Sequence, residues 1–220
     1  MKETAARNLQ GVLDPQPGRL AFALFDDGRA VRRGTLAMHP RDASQVPGFV
    51  AAELAAAGVT LNDVPRWSFG SGPGSFTFLR VVAALGAGWA AGNPSIRFRC
   101  IPGAVAAAAA LKPAEHERVG VIYDGRNREI LCFTAVKEKE GIRKEGETTI
   151  LDRGRAAEFF RENPMRLAAF AADEPVLRAF MEGIADFTVV EPDLSALAAS
   201  TADFDNDTDK MCYIRPAVAG

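Results

Sequence analysis

The chain has 220 residues, 48% of them hydrophobic and 25% charged, with a formal net charge of -2. This composition excludes collagen-like, coiled-coil and wholly disordered chains, and permits one large domain or two small lobes with a sizeable core. The weakly acidic balance gives no global electrostatic case for binding nucleic acid.

Residues 1–8 are polar and lack the apolar stretch of a secretory leader. Strands are expected at 8–13, 19–25 and 29–38, with Asp26-Asp27-Gly28 as a hairpin turn. Together they form an antiparallel meander. The run 44–57 carries Val46, Phe49, Val50, Leu54 and Ala57 at helical spacing, and Gly58 ends it. A short strand at 67–70 leads through SGPGSFT into a helix that runs to about residue 91. The Gly92-Asn93-Pro94 sequence stops that helix.

A strand at 96–101 follows, then an alanine-rich helix at 103–111. Strands at 118–123 and 129–136 flank a turn at 124–127, and the mixed-charge run 137–147 reads as a solvated hairpin tip. Helices at 153–162, 175–183 and 194–200 alternate with strands at 167–171 and 187–190. The order implies an α/β fold with mixed sheets under helical cover, divided into lobes at 9–112 and 113–216. The longest apolar stretches, 81–92 and 101–111, fall short of a membrane span. A cytoplasmic protein is expected.

The residues that carry chemistry are few. Cys100, Cys132 and Cys212 lie far apart without a CxxC, which argues against a disulfide framework or a zinc knuckle and reads as inert thiols. His39 and His116 sit in no metal-ligand spacing. The acidic string 203–209 lacks the Gly and Glu of a calcium loop and reads as solvated. Arg97 and Arg99 share one strand face, expected as an exposed sheet edge, with a tRNA-facing patch as the alternative. No catalytic residue and no metal ligand is assigned.

The strongest local signal is the loop 70–77. Its glycines admit close backbone approach, and a helix start can hold an anion. Gly72, Gly74, Ser75, Thr77 and Arg80 are therefore weak anion-loop candidates, with Ser75 as a plain helix cap as the rival reading. The loop is neither a Walker loop nor a GxGxxG fingerprint.

Gly-x-Gly-Pro-Gly-Ser-Phe-Thr-x-Leu-Arg over residues 70–80 resembles the signature of the TsaB (YeaZ) family, in the glycoprotease-like superfamily. The opening 13–28, the run 121–126 and the segment 213–216 are supporting matches. The resemblance implies an actin-like, RNase-H-related fold of two lobes. It also implies a non-catalytic scaffold, not a protease, that pairs with a TsaD-like subunit in making N6-threonylcarbamoyladenosine on tRNA. A TsaE-like ATPase joins that pair, and tRNA is met only indirectly.

Pairing would use early helices, here Val46, Phe49, Val50, Phe78, Leu79 and Val82. Plain core packing is the alternative for the same residues, because an amphipathic helix must bury one face. Two departures stand out. Pro15 and Gln16 replace the hydroxyl residues after the opening Asp14, and Pro17 removes a further amide, which argues against a phosphate site. Phe78 replaces a glycine, placing a bulky ring where a partner helix would approach. No cofactor is expected, weak nucleotide binding stays open, and a homodimer in isolation is a further expectation. The rival functions are a homodimeric homologue without a tRNA role and an actin-like phosphotransferase.

Overall fold

Sheet pairing explains the layout. The computed structural model describes residues 7–39, 42–73 and 76–211. Strands β1 (Leu9–Gln16), β2 (Arg19–Asp26) and β3 (Arg29–Ala37) form the expected meander, and β4 (Arg66–Gly70) and β5 (Arg97–Ile101) add in parallel, giving the order β3-β2-β1-β4-β5. Asp27 and Gly28 both take positive φ, as a two-residue hairpin turn requires. The second sheet runs β11-β10-β6-β7-β8, from β6 (Arg118–Arg126), β7 (Glu129–Glu138), β8 (Gly141–Lys144), β10 (Arg166–Ala169) and β11 (Thr188–Val189). The strand β9 (Thr149–Asp152) pairs antiparallel with the first part of β7, Glu129 to Cys132.

The helices fall into three layers because each buries one apolar stripe. Helices α1 (Val46–Ala56) and α2 (Phe76–Gly92) cover the outer face of the first sheet, where Phe22, Trp67, Phe69 and Phe98 form an aromatic core. Helices α3 (Ala104–Ala110) and α6 (Ser195–Ala198) lie between the two sheets, against Val12, Phe25, Val121 and Phe133. The helix α3 reads AVAAAAA, so it meets both sheets mainly through small side chains. Helices α4 (Arg153–Glu162) and α5 (Glu174–Met181) cover the far face of the second sheet. Two mixed sheets with three helical layers and this strand order constitute the actin-like α/β arrangement expected from the sequence.

Two expectations are corrected. The run 137–147 is more than a solvated tip: residues 141–144 form β8, paired to β7 from Ala135 to Glu138. Arg99 is neither an exposed edge residue nor part of a tRNA-facing patch. It is 4% exposed, and its guanidinium donates to Ser68 Oγ and to the carbonyls of Leu197, Ala198, Ser200 and Ala202. The ring of Phe204 lies 4.2 Å from the guanidinium carbon. The chain from 197 to 206 straps the free edge of β5, where Asn206 N donates to Phe98 O and Phe98 N donates to Asn206 Oδ1. Arg97 is exposed and donates to Phe204 O. Residues 197–206, assigned from the sequence to the second lobe, thus bond to the first sheet.

Candidate functional site

The glycine-rich loop lies where β4 ends. Ser71 N donates to Ile101 O at 2.7 Å, and Gly72 O accepts from Gly103 N at 2.9 Å, tying the loop to the turn before α3. Beneath it sits Asp14, 1% exposed. A Cβ on Gly70 would stand 1.8 Å from Asp14 Oδ1, and one on Gly103 would stand 2.4 Å from it. Both glycines are therefore required by the carboxyl they enclose. Burial pushes the Asp14 carboxyl up to about 6, against the smaller opposing effects of its bond from Gln16 and the nearby Arg19 charge.

A polar chain runs outward from Asp14. Gln16 Nε2 donates to Asp14 Oδ2 at 2.9 Å, Arg19 Nε donates to Gln16 Oε1 at 2.7 Å, and Arg19 Nη2 meets Glu191 Oε1 at 2.7 Å. Glu191 follows β11 of the second sheet, so the relay bridges the two halves. The hairpin tip closes on the same region: a Cβ on Gly18 would lie 3.2 Å from Ala172 Cβ. Asp173, next to Ala172, is also pushed up to about 6, mainly by burial; its bond from Asp124 N opposes this and the Asp124 charge adds to it.

The actin-like fold implies a nucleotide phosphate at this hairpin, and these residues do not fit one. Gln16 is 1% exposed and bonded to Asp14 and Arg19, Arg19 is engaged by Gln16 and Glu191, and Pro15 and Pro17 bring no amide. Among the described residues no group of three or more His, Cys, Asp or Glu could hold a metal ion. Cys100 and Cys132 are buried and their thiols are pushed up to about 12 by burial, the mark of unreactive sulfur.

Of the anion-loop candidates, Gly72 lies in the loop with φ +96, and Thr77 and Arg80 are exposed on the first turns of α2. Gly74 and Ser75, including the capping role read for Ser75, lie outside the described residues, as do Cys212 and the segment 213–216.

The side chains expected to face a partner lie elsewhere. Val46 (1% exposed), Val50, Phe78 (5%), Leu79 and Val82 are buried in the chain's own core, and Phe49 packs partly buried against it. Alanines occupy the other faces of these helices, so the bulky residues turn inward and bury more apolar area. The Phe78 ring is thus a core ring and not an obstacle on the outer surface. Phe78→Ala should cost about 3–5 kcal/mol of stability, read as a lowered denaturant midpoint. An unchanged midpoint would mean that the ring does not pack as described.

What sequence reasoning missed is the outer surface. Pro47, Ala51, Ala52 and Ala55 on α1, and Ala84, Ala87, Gly88 and Ala91 on α2, are exposed. Across both helices the only ionisable side chains are Glu53 and Arg80, and Glu53 is held by Arg32 at 2.6 Å. By contrast α4 carries Arg153, Arg155, Glu158, Arg161 and Glu162. The charge-poor composition of α1 and α2 was a legible signal.

No curated protein matches the chain. A Pseudomonas aeruginosa protein described as similar to peptidase YEAZ is 21% identical, with a TM-score of 0.68 over 87% of this chain and 88% of that one. YeaZ from the same organism is 22% identical, with a TM-score of 0.67 over 87% and 89%. The ethanolamine utilization protein EutJ from Carboxydothermus hydrogenoformans is 16% identical, with a TM-score of 0.50 over 87% and 88%. At these identities the likeness is one of fold. The family model described as TsaD, tRNA N6-adenosine threonylcarbamoyltransferase, matches residues 38–195. With well over half of the chain so matched, and with the signature at residues 70–80 resembling the same superfamily, the protein belongs to the TsaD family and folds as YeaZ does.

Proposed function

We propose that the chain is a TsaB-like, non-catalytic subunit in the synthesis of N6-threonylcarbamoyladenosine on tRNA, pairing with a TsaD-like subunit. The carrying observation is the outer face of α1 and α2: two helices side by side on one sheet, exposed, nearly free of charge and surfaced by alanine and glycine. A helix face turned permanently to water usually carries polar and charged residues, whereas small residues let a second helix pair approach closely. The hairpin supports a scaffold over a phosphotransferase, since Gln16 and Arg19 are spent on an internal relay. In this reading a TsaE-like ATPase joins the assembled pair, and the partner brings the chemistry and the nucleotide.

The test is size-exclusion chromatography with light scattering, on the chain alone and with the TsaD-like subunit of the same genome. A one-to-one complex is expected. Ala51→Arg combined with Ala84→Arg should abolish it without moving the thermal transition, because both positions are exposed. Two non-interacting species would overturn the reading, and a homodimer persisting in the mixture would put a self-associating homologue in its place. A complex indifferent to the two arginines would place the interface elsewhere.

A further inference from the structure

A groove of about 650 Å³ opens where β5, an edge of the first sheet, faces the β7–β8 hairpin at the edge of the second. It shares no residue with the glycine-rich loop, the β1–β2 hairpin or the outer faces of α1 and α2. Its floor is apolar: Ile101, Val105, Ala109, Ile142 and Ala196. It stays open because α3 and α6 bring mainly alanine to this edge, and a methyl group cannot fill the gap between two sheets. The volume lies in the range of small-molecule sites.

Its rim carries opposite chemistry. Lys112, Lys137, Lys139, Arg143 and Lys144 line it, against only Glu138 and Glu140, in a chain whose net charge is -2. Arg143 Nε holds Glu138 Oε1 at 2.7 Å, and Lys144 Nζ meets Glu147 at 3.1 Å. The ammonium groups of Lys112 and Lys139, both exposed, have no bonded partner among the described residues. A concave apolar floor under an excess of flexible cations matches one class of ligand, since lysine offers a mobile point charge to an anionic head while the floor removes an apolar body from water.

We propose that this groove binds an amphipathic organic anion, its apolar body on the floor between the sheets and its carboxylate, sulfonate or phosphate head at the lysine rim. The site is independent of the partner surface on α1 and α2, so neither reading falls with the other.

The probe is 1-anilinonaphthalene-8-sulfonate, titrated by fluorescence and calorimetry into the intact chain, with neutral N-phenyl-1-naphthylamine as its uncharged counterpart. One saturable site is expected for the sulfonate, weakened by salt. The double substitution Lys112→Glu and Lys139→Glu should weaken it about tenfold or more without affecting the neutral probe. Ala199→Trp, at an exposed position lining the groove, should weaken both probes. Far-ultraviolet circular dichroism and the urea midpoint of each variant should match the parent. An absence of saturable binding would overturn the proposal, as would a sulfonate affinity unchanged by either variant. If only Ala199→Trp acts, the groove takes apolar molecules without reading charge, and the anion assignment falls.

Discussion

Arg99→Met is expected to lower the stability of the chain by about 4 kcal/mol and to release the strap at 197–206 from the edge of β5. The native guanidinium is buried without a carboxylate partner: its acceptors are one hydroxyl and four main-chain carbonyls, and a ring covers it. Burial, with a smaller contribution from Arg66, pulls it down to about 10, so it remains charged at neutral pH. Methionine matches its apolar stem but donates nothing, leaving a buried hydroxyl and several buried or half-buried carbonyls without their donor. Amide hydrogen exchange separates the two consequences. Loss of protection at Phe98 and Asn206 marks strap release, and a lowered urea midpoint marks the global cost. Unchanged values for both would mean that the strap is held by its apolar contacts instead.

Asp14→Asn is expected to act in the opposite direction. The folded carboxyl stands at about 6 and the ordinary value is 3.8. Between these values the folded chain keeps a proton that the unfolded chain has released, so stability falls as pH rises through that window. Above it the full cost of a buried charge is present, about 3 kcal/mol. Asparagine removes the charge, keeps an oxygen for Gln16 Nε2 and fits between Gly70 and Gly103. At pH 7.5 the variant should exceed the parent by about 2–3 kcal/mol in urea unfolding, with the difference vanishing near pH 4. Asp173 shifts in the same direction and leaves a residual slope in the variant. A variant less stable than the parent at pH 7.5 would mean that the bond from Gln16 and the nearby Arg19 charge outweigh the burial.

The contrast between these two residues bears on what a sequence discloses. The meander was legible because strand alternation and the Asp-Asp-Gly turn are local signals, and the order of the remaining helices and strands follows from periodicity. The glycine-rich signature at 70–80 was legible as a motif. The carboxyl it shelters was not, since Asp14 reaches Gly70 and Gly103 only once β1, β4 and β5 are side by side.

Arg99 was misread for a similar reason: alternating arginines on a short strand look like a wet edge unless a segment about a hundred residues later covers it. The strand β8 was hidden by its charges, which are what an edge strand carries to deter further pairing. On α1 and α2 periodicity located the apolar stripe but not its destination. Val46, Phe49, Val50 and Leu54 serve the core, and the exposed positions between them are largely alanines.

The strap also fixes the order in which the chain can be finished. Gln10 Nε2 donates to Ser68 Oγ and to the carbonyl of Ala198, 188 positions away, and the ligands of Arg99 are about 100 positions away. During synthesis the first sheet can pair its five strands as soon as β5 emerges, yet its last edge and a buried cation wait for residues 197–206. Contacts so distant in sequence are entropically expensive to close and slow to form. A nascent chain would pass through an interval with an uncovered strand edge and an unsatisfied guanidinium, the interval in which a chaperone or the wrong neighbour has its opportunity.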